Sequence, residues 1–504
     1  MARPVLLTGE NLTSKDFYEV ALERRKVVLA PRARRAMQRS RALVERLTAE
    51  KEIVYGVTTG FGSLSTERIE PAQARQLQLN LVRSHACGVG DPLDEAETRG
   101  LLLLRANTLA RGLSGVRPLV AERLCDFLNH EIHPVVPSRG SVGASGDLAP
   151  LAHVALALVG EGPVSVKGKR MRAATALKAM HKPPLVLEAK EGLALVNGTQ
   201  AMLAVGLLAL RSAEILVDTA DVAGALSLDA LRGSPKAFDE RLHRSRPHAG
   251  QLTTARNLLR LNRGSQIRES HRGCLRVQDA YSLRCMPQVH GAVRDALDYA
   301  RRVFEIEMNS ATDNPLVFAR EGEVISGGNF HGQPLATALD LMAIALTQLG
   351  GISERRIDRM VNPLTSELPP FLTDAHGVQS GFMMPQIVAA ALASENKVYA
   401  HPASIDSIAT SGNKEDYVSM GMAAALKLRP IIANVNAILA IELLTASQAL
   451  DLLAPLRSGP LAEEARAIVR RISPRVDEDR PLDRDIASVA ELIRAGSFAR
   501  ILAR

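Results

Sequence analysis

Apolar residues recur at three- and four-residue intervals from Pro31 to Leu47 and from Pro71 to Val82, a spacing that predicts amphipathic helices. The same period resumes over Asp94–Leu113 and Leu119–Leu128. Between the first two helices lies "VYGVTTGFGS" (54–63), a Gly/Thr loop that contains Tyr55. "VSVKGKRM" and "EVISGGNF" predict short hairpins. From about residue 200 the pattern changes to long Ala/Leu segments at 199–231, 287–310, 333–352, 385–399 and 418–456, which predict a bundle of long helices. A mainly α chain follows, with a loop-rich domain over 1–200 and a helical bundle over 201–504. Its breaks are rich in Gly, Asn and Asp: "VQDAYSLR" (277–284), "TDNP" (312–315), "SGGNFHG" (326–332) and "SGNKEDYVSMG" (411–421). Polar loops between apolar helices are where binding and catalysis concentrate.

Composition sharpens this picture. Aromatic residues make up only 3 % of the 504, with no Trp and six Tyr, so the core is aliphatic and each Tyr inside a motif stands out. The net charge is +8, and Arg24–Arg41 is the most basic stretch. Pro31 at a first turn and an apolar stripe of Ala33, Ala36, Met37, Leu43, Val44 and Leu47 make that stretch a solvated helix face. No aromatic interleaves its arginines, so a nucleic-acid partner is not expected. Cys87, Cys125, Cys274 and Cys285 are far apart, which suggests neither a disulfide framework nor a metal site. The N-terminus lacks the long apolar run of a signal peptide, and apolar runs such as "AMLAVGLLAL" fall short of a membrane span. A reduced, cytoplasmic location and no membrane partner are the expectations.

"GSVGASGDLAP" (140–150) holds more small residues than a turn requires. A phosphate cradle would continue with Lys-Ser/Thr, whereas Asp147 follows here. A G-x-S-x-G nucleophile misses its frame by one residue. The third chemistry uses the backbone. If Ala144-Ser145-Gly146 bends sharply, the Gly146 nitrogen can attack the Ala144 carbonyl carbon. One water leaves on ring closure and a second leaves from Ser145, giving an electrophile without any external cofactor. Gly146 has no Cβ to oppose the bend.

With these flanks the loop resembles the signature of the aromatic amino acid ammonia-lyases, whose prosthetic group is 4-methylideneimidazole-5-one (MIO). The resemblance continues in order through "YGVTTGFGS", "LVRSHACGVG", "LVNGTQ", "VQDAYSLRCMPQVHGA", "TDNPLVF", "SGGNFHGQP", "SGFMMPQ" and "SENK", over essentially the whole chain. It implies an L-aspartase/fumarase-like helical architecture and a homotetramer whose active sites are shared between subunits. It also implies that Tyr55 is the β-proton base, that Tyr281 and Asn197 lie beside the MIO, that Gln278 and Asn314 support the substrate and that Phe330 lines the site. Gln278, Tyr281 and Arg284 are spaced at three and would share one face of a helical turn, with Arg284 suited to a substrate carboxylate. Taken alone these residues also read as a core tyrosine, a surface ion pair and, for Asn314, a turn before Pro315.

Ser84-His85 is similar to the pair of the histidine-directed members, where tyrosine-directed ones show His-Leu and phenylalanine-directed ones Phe-Leu. Glu415 resembles the glutamate those members set against the imidazole, a sensible partner for a ring that carries positive charge. Glu415 and Asp416 also read as a helix cap after Asn413. Lys414 and Tyr417 depart from the usual Asn-Gln-Glu-Asp-His pattern, which keeps a tyrosine lyase or a tyrosine 2,3-aminomutase open. The expected activity is elimination of ammonia from L-histidine to trans-urocanate. A helical scaffold with an inactive site is the non-enzymatic alternative.

Overall fold

A computed structural model describes residues 3–503 apart from 51, 57–58, 61–68, 71–72, 275–276 and 376. Much of "YGVTTGFGS" and the predicted helix start at Pro71 therefore lie outside the described residues, whereas Tyr55 is within them.

The fold is mainly helical, and its contacts divide the chain into two compact units. The first comprises Met1–Leu208, Arg301–Asp340 and Pro402–Leu426; the second comprises Ala209–Ala300, Leu341–His401 and Lys427–Arg504. Every strand among the described residues falls in the first unit. Val5–Leu7 pairs in parallel with Val27–Leu29, and Ile132–Pro134 joins the hairpin of Pro163–Val166 with Lys169–Arg172. That hairpin is the one predicted from "VSVKGKRM". "EVISGGNF" contributes a single strand, Glu323–Ile325, whose partner Leu316–Phe318 comes from the "TDNPLVF" motif.

The first helices form as their sequence predicts. Pro31–Ala49 starts on a proline at its first turn and buries Ala33, Met37, Leu43, Val44 and Leu47, so its arginines are the solvated face. Glu95–Ala110 opens on a reciprocal capping box between Asp94 and Glu97. From Glu97 onward every residue of that helix is buried, including Arg99 and Arg105. Leu101, Leu102 and Leu103 are wholly buried, each contributing about 1.5–3 kcal/mol of apolar stabilisation. Ala74–His85 carries His85 on its last turn, Leu148–Leu158 leads out of the small-residue loop, and the short helix Glu191–Val196 ends on Asn197.

Among its described residues the second unit carries helices and connecting loops but no strand. Its core holds charge as well as Leu and Ala. The Arg356 guanidinium meets both Glu442 carboxylate oxygens, at 2.5 and 2.8 Å. Ser227 and Ser353 donate to the same carboxylate. His290 Nδ1 lies 2.8 Å from Asp221, which also takes Arg294 at 2.6 Å. Buried charges persist only when paired in this way.

One expectation needs correction. Gln200–Ala230, Gln333–Val361 and Gly421–Leu452 are long and apolar enough to cross a membrane by length and composition. Counting uninterrupted apolar runs misses them, because isolated polar residues interrupt the run without lowering the mean. Between 61 and 72 % of each apolar window is buried within the protein.

Candidate active site

The small-residue loop is bent hard. Ser145 sits at φ +53° and Gly146 at +79°, in left-handed territory. The Gly146 amide donates to the Gly143 carbonyl at 3.4 Å. Gly198 clamps the bend from outside: its amide donates to the Ser145 carbonyl at 3.1 Å, and its carbonyl accepts from the Asp147 amide at 2.7 Å. A Cβ on Gly146 would lie 2.1 Å from the Gly198 carbonyl oxygen, so only glycine fits. Ala144 is buried and Ser145 half-buried. Met420 closes the other side by donating its amide to the Val142 carbonyl at 2.9 Å.

Asp147, directly after the loop, is wholly buried. Its carboxyl accepts from the Met202 amide at 2.9 Å and from Ser141 Oγ at 3.2 Å. Burial outweighs these bonds and pushes its pKa up to about 7.

Asn197 and Asn314 meet beside the clamp. Asn197 Nδ2 donates to the Asn314 carbonyl at 2.9 Å. Asn314 Oδ1 accepts from Ser326 Oγ at 3.1 Å and from the Gly327 amide at 2.8 Å, tying it to the segment that carries Phe330. Beneath them the Asp313 carboxylate accepts from the Asn314 amide at 2.7 Å and from Lys190 Nζ at 3.0 Å. Burial works against the Asp313 charge, but Lys190 and Arg105 outweigh it and hold its pKa below the ordinary value.

His85 lies 3.0 Å from Ser84 Oγ through Nδ1. Burial lowers its pKa, opposed by the Leu81 carbonyl and by the Glu415 carboxylate. Glu415 is not a helix cap: its backbone bridges to Thr410 in both directions, and Thr410 Oγ1 donates to its carboxylate at 2.7 Å. The Tyr417 ring is 63 % exposed and stacks on His331, with ring centres 6.3 Å apart and planes 14° apart. Tyr55 is half-buried in a turn beside Gly56.

Gln278, Tyr281 and Arg284 belong to the second unit. Only Tyr281 and Arg284 share a helical turn, Tyr281–Arg284; exposed Gln278 precedes it, so the one-face reading of all three is corrected. Among the described residues Arg284 makes no ion pair: its guanidinium lies 4.6 Å from the centre of the Tyr281 ring, and its buried Nε has no hydrogen-bond partner among them. Tyr281 is 71 % exposed, so it is no core filler.

The first unit thus gathers Ala144, Ser145, Gly146, Asn197 and Asn314 through direct contacts, with His85 and Glu415 electrostatically coupled. Sequence reasoning missed Gly198, Arg105 and the Lys190–Asp313 pair. A charged residue amid "LLLLRANTLA" was the available signal for Arg105. Among the described residues no group of three or more His, Cys, Asp or Glu is placed to hold a metal ion.

A sharply folded, glycine-clamped loop in a mainly α chain defines a class, and the comparison with known proteins agrees. The chain belongs to the aromatic amino acid lyase family, whose model matches residues 12–471. It is 59 % identical to a histidine ammonia-lyase of Koribacter versatilis over 98 % of each chain. Among solved structures it is similar to histidine ammonia-lyase from Trypanosoma cruzi, with TM-score 0.92 and 42 % identity over 99 % of this chain and 95 % of that one. Tyrosine aminomutase from Streptomyces globisporus gives TM-score 0.94 and 42 % identity over 100 and 99 %. Membership of this family implies the MIO group, and the loop fits it: Gly146 has no room for a side chain, and the clamp fixes Ser145 from its carbonyl side.

Proposed function

We propose that this chain is a histidine ammonia-lyase that converts L-histidine to trans-urocanate and ammonia. The observation that carries the reading is the clamped left-handed bend at Ser145-Gly146, joined by the His85–Glu415 coupling. Full-length similarity to relatives named histidine ammonia-lyase supports it.

In this reading the Gly146 nitrogen closes on the Ala144 carbonyl carbon without outside help, and two waters leave. The resulting MIO supplies an electrophile that makes ammonia a feasible leaving group. Around it the chain's own residues bind and move the proton. Arg284 takes the substrate carboxylate through its guanidinium. Glu415 and His85 hold the imidazole, with Phe330 lining the site. Tyr55 removes the β-proton, Asn197 and Tyr281 stand beside the loop, and Gln278 and Asn314 support the substrate. Tyr417, which favoured a tyrosine-directed pocket, has its ring on His331, and this supports the histidine reading.

The working form in this proposal is a cytoplasmic homotetramer with shared sites. Four free cysteines, the exposed Tyr281, and apolar Met384, Ile387 and Val388 exposed along the helix Met383–Tyr399 support it. Light scattering that gives four chains per particle is the expected result; a monomer overturns it. For the activity, purified protein is incubated in parallel with L-histidine, L-tyrosine and L-phenylalanine. Urocanate from histidine is expected. Coumarate or β-tyrosine instead would keep the loop chemistry and overturn the pocket.

A further inference from the structure

Arg105 is a buried cation held one peptide away from the loop, and the reaction as read above gives it no part. It is wholly buried in the middle of Glu95–Ala110. Its guanidinium donates to the Asn197 carbonyl at 2.5 Å, to Gln200 Oε1 at 2.8 Å and to the Ala194 carbonyl. Burial pulls its pKa down only to about 10, so it stays cationic at neutral pH. Two buried cations, Arg105 and Lys190, share one carboxylate, Asp313, close to the loop.

The route from that charge to the loop is short. The Asn197 carbonyl that takes Arg105 and the Gly198 amide belong to one peptide unit. That amide donates to the Ser145 carbonyl at 3.1 Å. Charge drawn to one end of a peptide makes its other end a stronger donor, because aligned hydrogen bonds polarise one another in a low dielectric. The Ser145 carbonyl oxygen is conjugated with the carbon that receives the nucleophile, so electron density moves onto it when the electrophile is engaged.

We propose that Arg105 is a positioning residue that sets and polarises the Asn197–Gly198 peptide against the Ser145 carbonyl, so that the loop's electrophile is activated from behind. Arg105 touches neither substrate nor reacting atoms; it acts through the peptide between them. This rests on the functional reading above. Removing a direct oxyanion donor costs about 10²–10³ in rate, so weakening one from a single peptide away is expected to cost about tenfold.

The test uses the full chain, with Arg105→Gln and Arg105→Lys beside the parent, all checked by melting. Intact mass reports whether two waters have left. Mature chains are then treated with cyanide, and the rate of gain of one HCN is followed by mass, with no substrate present. A parent at full mass defeats the functional reading itself, whatever Arg105 does. With a mature parent, the expected result is an Arg105→Gln chain that matures, takes up cyanide about tenfold more slowly and loses kcat more than KM. Arg105→Lys, which keeps the charge, should recover most of the rate. A mature Arg105→Gln chain that adds cyanide at the parental rate overturns the proposal. If the Gln chain does not fold or stays at full mass, the Lys chain decides. Mature and close to the parental rate, it supports the proposal; mature but slowed tenfold, immature or unfolded, it overturns it.

Discussion

Gly146 shows how little freedom the loop has. The 2.1 Å that would separate an added Cβ from the Gly198 oxygen is well inside any real contact. Gly146→Ala is therefore expected to give a folded chain at full mass with no activity. Ser145→Ala should also fold without activity, since the departing hydroxyl is gone and at most the one water of ring closure can leave; normal turnover in either sinks the MIO chemistry. Glu415→Gln keeps a group that can accept from Thr410 Oγ1 but loses the charge facing His85. A charge-assisted hydrogen bond contributes about 1.5–3 kcal/mol, so histidine kcat/KM should fall about tenfold to a hundredfold, and tyrosine turnover far less. At this scale the sequence was informative wherever a residue's chemistry is local. Gly146, Ser145 and Glu415 were legible because their motifs are contiguous. Arg105 and Lys190 were not, because their partners lie up to 123 positions away and only folding brings them together.

Helices were legible wherever an apolar stripe and a cap coincide, as at Pro31–Ala49 and Glu95–Ala110. They were misread where spacing stood alone. Gln278 keeps the three-residue interval to Tyr281 but lies outside the helix, and Glu415 follows a helical turn of only Ser411–Asn413 before entering a bridge to Thr410. Small residues where helices cross were passed over entirely. Gly250 on Ala249–Leu261 and Gly291 on Met286–Met308 touch backbone to backbone, and a Cβ on Gly250 would stand 2.1 Å from the Gly291 carbonyl oxygen. Gly250→Ala is expected to push these helices apart and destabilise the protein by about 1–3 kcal/mol. Urea unfolding should show an earlier midpoint, and an unchanged midpoint would refute the close approach.

Across the whole molecule, buried histidines contribute one part of the response to acid, opposed by Asp147 and Asp229, whose carboxyls burial raises to about 7 and about 6. Burial brings His133 down to about 4, opposed by Glu95, and its Nε2 lies 3.2 Å from the Arg99 guanidinium. His290 is shifted in the same direction by burial. An unfolded histidine titrates near 6.5, so at these two positions the unfolded chain binds more protons than the folded one between about 6.5 and 4. These groups therefore add stability above about pH 6.5 and lose it progressively as the pH falls towards 4. His133→Gln should flatten the decline of the unfolding midpoint over that range, and an unaltered slope would remove His133 from the account.

The loop of residues 144–146 has one more consequence, and it concerns supply. In the chemistry proposed above, the reagent is cut from the polypeptide and so arrives with each copy in a fixed ratio of one per chain, with no vitamin, ion or loading partner to limit it. It cannot leak away on dilution or be exchanged when spent. On that proposal, a chain whose group at Ser145 is capped by a stray nucleophile stays out of service for as long as the adduct lasts, since no fresh copy of the group can be loaded in its place.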